Sequence, residues 1–381
     1  MNYAVDKLVL TPDDIDLSRS PLAGRVDAET YVLGAFNPGL TRLPNGNLLM
    51  MVRIAEALRE PIFDKHIHGI RWEASGDGGR CVLDAWPLDL ADTSDPRTFV
   101  LRSGGWKVMA LTSLSWLLPV ELTPDGLERV TIHYDKAIAP QNSLQCYGIE
   151  DPRISKVDDR WLMTTCSVSP ERHSTTLYTS SNGLDWTFQD IVLDHQNKDM
   201  LIFEGQIGGH YWAQTRPLGD LYFAYPPDSE WRAGPSINLA HSPDALFWKP
   251  FAKPGIRPHA ATVATARIGG GSPPILTDIG GVQGWLTLWH GVEPKEIVGI
   301  YRTYWSILDP DDPSVVLMTS HTPLLEANPD LTRPIEDKMY VRDVVFTTGI
   351  ADGGDHYVVA SGEADLACRI THISKAAFAS G

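Results

Sequence analysis

"VDDRWLMTTCS", residues 157–167, sets two adjacent acids at a tight turn and follows them with a short aromatic, aliphatic and β-branched run. A polar turn followed by a strand is the signature of a β-hairpin. The stretch before it, "GIEDPRISKV", supplies the partner strand. The same unit recurs at "LPNGNLLMMVR" (43–53), "IGGHYWAQTR" (207–216), "GVQGWLTLWHG" (281–291) and "DGGDHYVVASGEAD" (352–365). Asn45-Gly46, Gly208-Gly209 and Gly353-Gly354 are the corresponding turn dipeptides. A second element follows two of the hairpins. "TLYTSSNGLDW" (176–186) and "INLAHSPDALFW" (237–248) share a strand, a Ser-led turn, a leucine and a tryptophan.

Self-similar hairpins several tens of residues apart point to a repeat array of antiparallel sheet. Helical patterns are nearly absent. The expectation is an all-β chain, a five-bladed β-propeller with its active site in the central channel. The recurring unit disfavours a pair of β-sandwiches. No linker-like segment appears, so residues 1–381 read as a single domain. Residues 59–140 fit the repeat least well and read as a long insertion or an elaborated first blade.

Composition narrows the function. With 43% hydrophobic and 21% charged residues the chain has an ordinary globular balance. Its formal net charge of −16 makes nucleic acid and anionic membrane poor partners. The cysteines Cys81, Cys146, Cys166 and Cys368 form no CxxC pair, so neither a zinc site nor a disulfide framework is expected. Acids do not cluster with histidine at ligand spacing, so no metal or other cofactor is expected. No apolar run approaches membrane-spanning length, and the first residues lack a basic stretch followed by an apolar one. A cytoplasmic location is the default expectation; a homo-oligomer remains open.

In a propeller the innermost strand of each blade faces the channel. The polar residues embedded in the first strand of each unit are therefore the candidates: Asn37 with Arg53; Glu150, Asp151 and Arg153; Lys198, Asp199 and Arg216; His290; and Asp365. A buried carboxylate is costly unless paired, so the acids of "GIEDPRIS" serve either a strand-end ion pair or proton transfer. Ions from five distant segments at equivalent positions favour the second reading.

These same stretches carry a resemblance. "FNPGL" with Arg53, "GIEDPRIS", "NKDMLIFEGQIGGHYWAQTRP", "GGGSPPILTDIGGVQGWLTLWHGV", "YWSILDPDDPS" and "VVFTTGIADGGDHYVVASGEAD" occur in the order seen in glycoside hydrolase family 130, the β-mannoside phosphorylases and related β-mannosidases. The chain resembles that family from about residue 30 to 370 except over 59–140. The resemblance implies a five-bladed propeller and an inverting reaction with Asp151 as general acid, acting through the sugar's own 3-hydroxyl. It implies Lys198, Arg216 and His290 as contacts to an inorganic phosphate co-substrate, and Asn37, Arg53 and Asp365 as contacts to the sugar. The partners would be a small β-mannoside oligosaccharide and phosphate, the product α-mannose 1-phosphate. Arg153 is expected to support either Asp151 or the strand turn and is assigned no chemistry.

Four departures from the family pattern stand out: Glu204 where proline is usual, Glu363 beside Asp365, Arg342-Asp343 where a Pro-Asn pair is usual, and the length of 59–140. An inverting hydrolase needs a second carboxylate to activate water. Glu204 or Glu363 would be that base if the chain were a β-mannosidase instead. A non-catalytic propeller that binds a glycan or a protein is the third reading.

Overall fold

The computed structural model describes residues 3–378 apart from 76–78, 96, 104–105, 219–221, 260–263, 265–266 and 296–297. Its architecture is all-β. Five antiparallel sheets follow one another along the chain. The first is built from Thr30–Arg42, Leu48–Leu58, Ser113–Leu122 and Arg129–Ile132. The second holds Ile149–Val157, Arg160–Val168, His173–Ser180 and Thr187–Leu193. The third holds Asn197–Ile207, His210–Pro217, Asn238–Ser242 and Lys249–Pro250. In the fourth, both Arg267–Gly270 and Ile275–Ile279 pair with Val282–Glu293, and Ile300–Leu308 and Val316–Thr319 follow outward. The fifth takes Val345–Asp352, His356–Glu363 and Ala367–Ser374 from the end of the chain and Val5–Leu10 from its beginning.

All five hairpins expected from the repeat are present, and the turn dipeptides lie between their strands. The N-terminal strand was not anticipated, because "VDKLVL" has no hairpin partner nearby in sequence. Residues 59–111 form two small three-stranded sheets, Ile62–Phe63, His66–Glu73 and Arg80–Pro87, then Ala91–Asp95, Thr98–Ser103 and Trp106–Leu111. They are inserted between the second and third strands of the first sheet, and Trp86 packs on Phe99 where the two meet (centroids 5.2 Å apart).

Apolar side chains fill the space between successive sheets. Met51, Leu117, Ile149 and Met163 join the first sheet to the second. Leu162, Leu177, Ile202 and Ala213 join the second to the third. Phe203, Leu239, Trp289 and Tyr304 join the third to the fourth. Leu286, Ile307, Val345 and Val359 join the fourth to the fifth, and Met50, Val52, Leu118, Val358 and Ile370 join the fifth back to the first. A middle strand is thus covered on both faces, and Ser113–Leu122 is buried at every position. This explains why such strands read as continuous apolar runs rather than alternating ones.

Candidate active site

Three of the five opening strands break step at the same place. Their ladders shift between Phe36 and Gly39, between Glu150 and Arg153, and between Lys198 and Leu201. At each break a non-glycine residue takes a left-handed backbone: Asn37 (φ 49°), Asp151 (φ 50°) and Asp199 (φ 58°). Asn and Asp tolerate that region better than other side chains, and a bulge re-aims the side chain it carries. Asp365 (φ 51°) shares the conformation. It lies in the turn between His356–Glu363 and Ala367–Ser374, not in a first strand as expected. Arg53, Arg216 and His290 likewise sit on second strands. They reach the same cavity because neighbouring strands converge there.

That cavity, of about 360 Å³, is lined by every residue the resemblance placed on sugar, phosphate or proton transfer: Asn37, Arg53, Asp151, Lys198, Arg216, His290 and Asp365. Glu204 and Glu363 do not line it. Asn37 Nδ2 and Arg53 Nη1 both donate to Asp151 Oδ1, at 2.8 and 3.0 Å. Arg53 Nη2 donates to Glu150 Oε1 (2.7 Å), and Lys198 Nζ to Glu150 Oε2 (2.9 Å). Glu150 thus holds the two cations on either side of it. Arg153 donates from Nη1 to the Asp151 carbonyl (2.8 Å) and from Nε to the Gly271 carbonyl (2.7 Å), so it fixes the bulge. Deeper in, Arg216 Nε stands 2.9 Å from Asp199 Oδ2, and His290 Nε2 lies 3.7 Å from the same oxygen.

Two glycines make this packing possible. A Cβ at Gly269 would lie 2.5 Å from His290 Cε1 and 2.7 Å from Asp199 Oδ2. A Cβ at Gly362 would collide with Asn37 Oδ1.

Charge decides the protonation states. Burial would raise the Asp151 pKa, yet Arg53, Lys198 and Arg153 hold it well below the ordinary carboxylate range. Burial dominates at His290, whose pKa falls to about 3, so the imidazole is neutral. At Asp365 burial also wins and the pKa is raised, against the opposing charges of Arg97 and Arg53. Among the described residues, two buried polar atoms of this wall, Asn37 Oδ1 and His290 Nδ1, lack a hydrogen-bond partner, while Asp199 Oδ2 and Arg216 Nε meet as an ion pair at 2.9 Å. Each such atom costs about 1–3 kcal/mol, so a polar ligand is the natural explanation for keeping them.

The two candidate bases for hydrolysis are corrected by their positions. Glu363 Oε2 accepts from Arg369 Nη1 (2.9 Å) and Oε1 from the Asn328 amide (2.6 Å), so it belongs to a buried network behind the cavity. Glu204 accepts from the Lys156 amide (3.2 Å) at the second–third sheet contact. Burial pushes the Glu204 carboxyl up to about 7. A raised folded pKa favours the folded state below the unfolded value of about 4.3, an advantage lost as pH climbs through 7. Glu204→Gln is therefore expected to gain stability relative to the wild type between pH 5 and pH 8, on the order of 1 kcal/mol. Paired denaturant titrations at the two pH values check this; a difference independent of pH would refute it.

Other cavity residues gave no sequence signal. Arg97 and Asp95 come from the inserted sheet, and Tyr340 from an irregular segment. Arg267, on the inner strand of the fourth sheet, stacks on Tyr301 (5.5 Å to the ring centroid) beside the buried His290. Only the glycine run after Arg267 hinted at a close approach.

The family model for β-1,4-mannooligosaccharide phosphorylase, that of glycoside hydrolase family 130, matches residues 112–377. The chain belongs to glycoside hydrolase family 130. Among its relatives, a β-1,2-mannobiose phosphorylase of Listeria innocua is 30% identical over 343 residues, 88% of this chain and 87% of that one. A 1,2-β-oligomannan phosphorylase of Thermoanaerobacter is 32% identical over 64% of this chain and 74% of its own. The solved structure of the Listeria innocua β-1,2-mannobiose phosphorylase with β-1,2-mannobiose superposes with a TM-score of 0.78, at 27% identity, over 97% of this chain and 95% of that one. Family 130 membership makes the chain an enzyme of the glycoside phosphorylase and hydrolase class.

Proposed function

We propose that the protein is an inverting β-mannoside phosphorylase acting on β-1,2-linked mannosides. The five sheets, packed in cyclic order, are read as five propeller blades with the cavity at their axis. The observation that carries the proposal is the make-up of the cavity wall: two bulged carboxylates, Asp151 and Asp199, set among five cations, Arg53, Arg97, Lys198, Arg216 and Arg267, in a strongly acidic chain. Such a chain holds a phosphate dianion only through charge-assisted donors. The two curated relatives, both phosphorylases of β-1,2-mannosides, support the linkage.

In this reading a phosphate oxygen attacks the anomeric carbon from the side of Lys198, Arg216 and Arg267. The bond from that carbon to the glycosidic oxygen breaks, and a proton from Asp151 reaches the leaving oxygen by way of the sugar's 3-hydroxyl. The phosphate gives up one proton in becoming α-mannose 1-phosphate, which restores Asp151. A single displacement accounts for inversion. Asp151 is ionised while Lys198 and Arg53 face it alone. A dianion set against the cations offsets them, and a sugar that displaces water adds desolvation; both raise its pKa. The acid is thus loaded only when the nucleophile is in place.

The test is incubation with β-1,2- and β-1,4-mannobiose, with and without inorganic phosphate. Expected is α-mannose 1-phosphate from the β-1,2 compound, only with phosphate. Equal release of free mannose in its absence would refute phosphorolysis.

A further inference from the structure

Arg97 is placed where the inserted sheet meets the cavity. Its guanidinium is gripped by Asp95, with Nε on Oδ1 at 3.0 Å and Nη2 on Oδ2 at 2.7 Å, and Nη1 reaches Asp365 Oδ2 at 3.1 Å. The Tyr340 ring lies 5.6 Å from it, and the Tyr340 hydroxyl donates to the Asp365 carbonyl at 2.6 Å. Among the described residues three of the five guanidinium N–H groups are engaged. Arg97 and Tyr340 also border a second cleft of about 630 Å³, lined farther out by Lys295, Arg342 and Asp343. Two of the four departures from the family pattern, 59–140 and Arg342-Asp343, therefore converge on one cleft.

The charges of this cleft are neutralised locally. Lys295 pairs with Asp343 (2.6 Å), Arg342 with Glu336 (2.8 Å), and Arg97 with two aspartates. Paired ions offer fixed donors and acceptors to a hydroxyl-rich neutral group. In the proposed reaction Lys198, Arg216 and Arg267 serve the nucleophile, and Arg97 stands where the cavity adjoins the outer cleft.

We infer that Arg97 is a specificity-determining residue that binds the leaving sugar of the substrate and directs it into the outer cleft. This rests on the β-mannoside phosphorylase reading. The test compares wild type, Arg97→Ala and Arg97→Lys on β-1,2-mannobiose, β-1,2-mannotriose and 4-nitrophenyl β-mannoside, all with phosphate. The aryl leaving group has no hydroxyls for Arg97 to hold. Loss of one charged hydrogen-bond donor is expected to lower kcat/KM on the mannobiose and mannotriose about 30-fold, mostly through KM. The loss on the aryl mannoside is expected to be at least tenfold smaller. Arg97→Lys, which keeps the charge but loses the Asp95 fork, is expected to show the same asymmetry. Equal losses on all three substrates, or none, would overturn the inference while leaving the phosphorylase reading intact. Absence of turnover by the wild type on every β-mannoside would overturn both.

Discussion

Asp151→Asn is expected to lower kcat/KM for β-1,2-mannobiose about 1,000-fold, within the range assigned to a lost general acid. The substitution isolates the proton. Asparagine accepts the left-handed backbone at φ 50°, and its amide oxygen can keep the bonds from Asn37 and Arg53. Arg53 retains Glu150 as its second partner at 2.7 Å, so no buried cation is stranded. The melting temperature should accordingly move little while turnover collapses. An aryl β-mannoside, whose leaving oxygen needs no proton, should lose far less than mannobiose does. If the variant still cleaved mannobiose within threefold of the wild type, the proton would come from another group.

Arg216→Met should act on phosphate and on stability together. Arg216 is 6% exposed and stands 2.9 Å from Asp199 Oδ2. Without it the buried Asp199 faces only Arg153, at 3.5 Å, and a neutral His290. Breaking one side of a buried pair costs about 3–5 kcal/mol, because the remaining charge stays desolvated. The KM for phosphate should rise about 100-fold, the worth of a charge-assisted contact. The double variant Arg216→Met/Asp199→Asn, which keeps a side chain suited to the left-handed backbone, separates the two effects. It removes the orphaned charge, so it should regain most of the stability while the phosphate KM stays high. An unchanged phosphate KM in a folded Arg216→Met protein would place the nucleophile elsewhere.

Much of this arrangement is legible in the sequence. The hairpins follow from local turn chemistry, and Asn45-Gly46 or Gly208-Gly209 imposes its turn whatever the rest of the chain does. The site residues on those hairpins came with them, since a polar residue inside an apolar strand needs a reason. Arg97 could not be found this way. It is carried by an insertion outside the repeat, and its partner Asp365 lies 268 positions away. Arg267 was hidden because its strand is only four residues long. Glu204 and Glu363 misled for the opposite reason. Both are acids beside the right motifs, yet strand alternation and the Arg369 network turn them toward the packing between sheets. Sequence proximity says which strand a carboxylate is on, not which face it serves.

The pairing of Val5–Leu10 with Ala367–Ser374 has a consequence for biosynthesis. The first strand made waits for the last one, some 360 residues later, or roughly 20–70 s at ordinary ribosomal speeds. Until Ala367–Ser374 emerges, the nascent molecule carries an unzipped seam with bare amide and carbonyl groups on Val5–Leu10. Newly made chains should therefore be most prone to stick to one another in that interval, and a bulky fusion ahead of Val5 would prolong it.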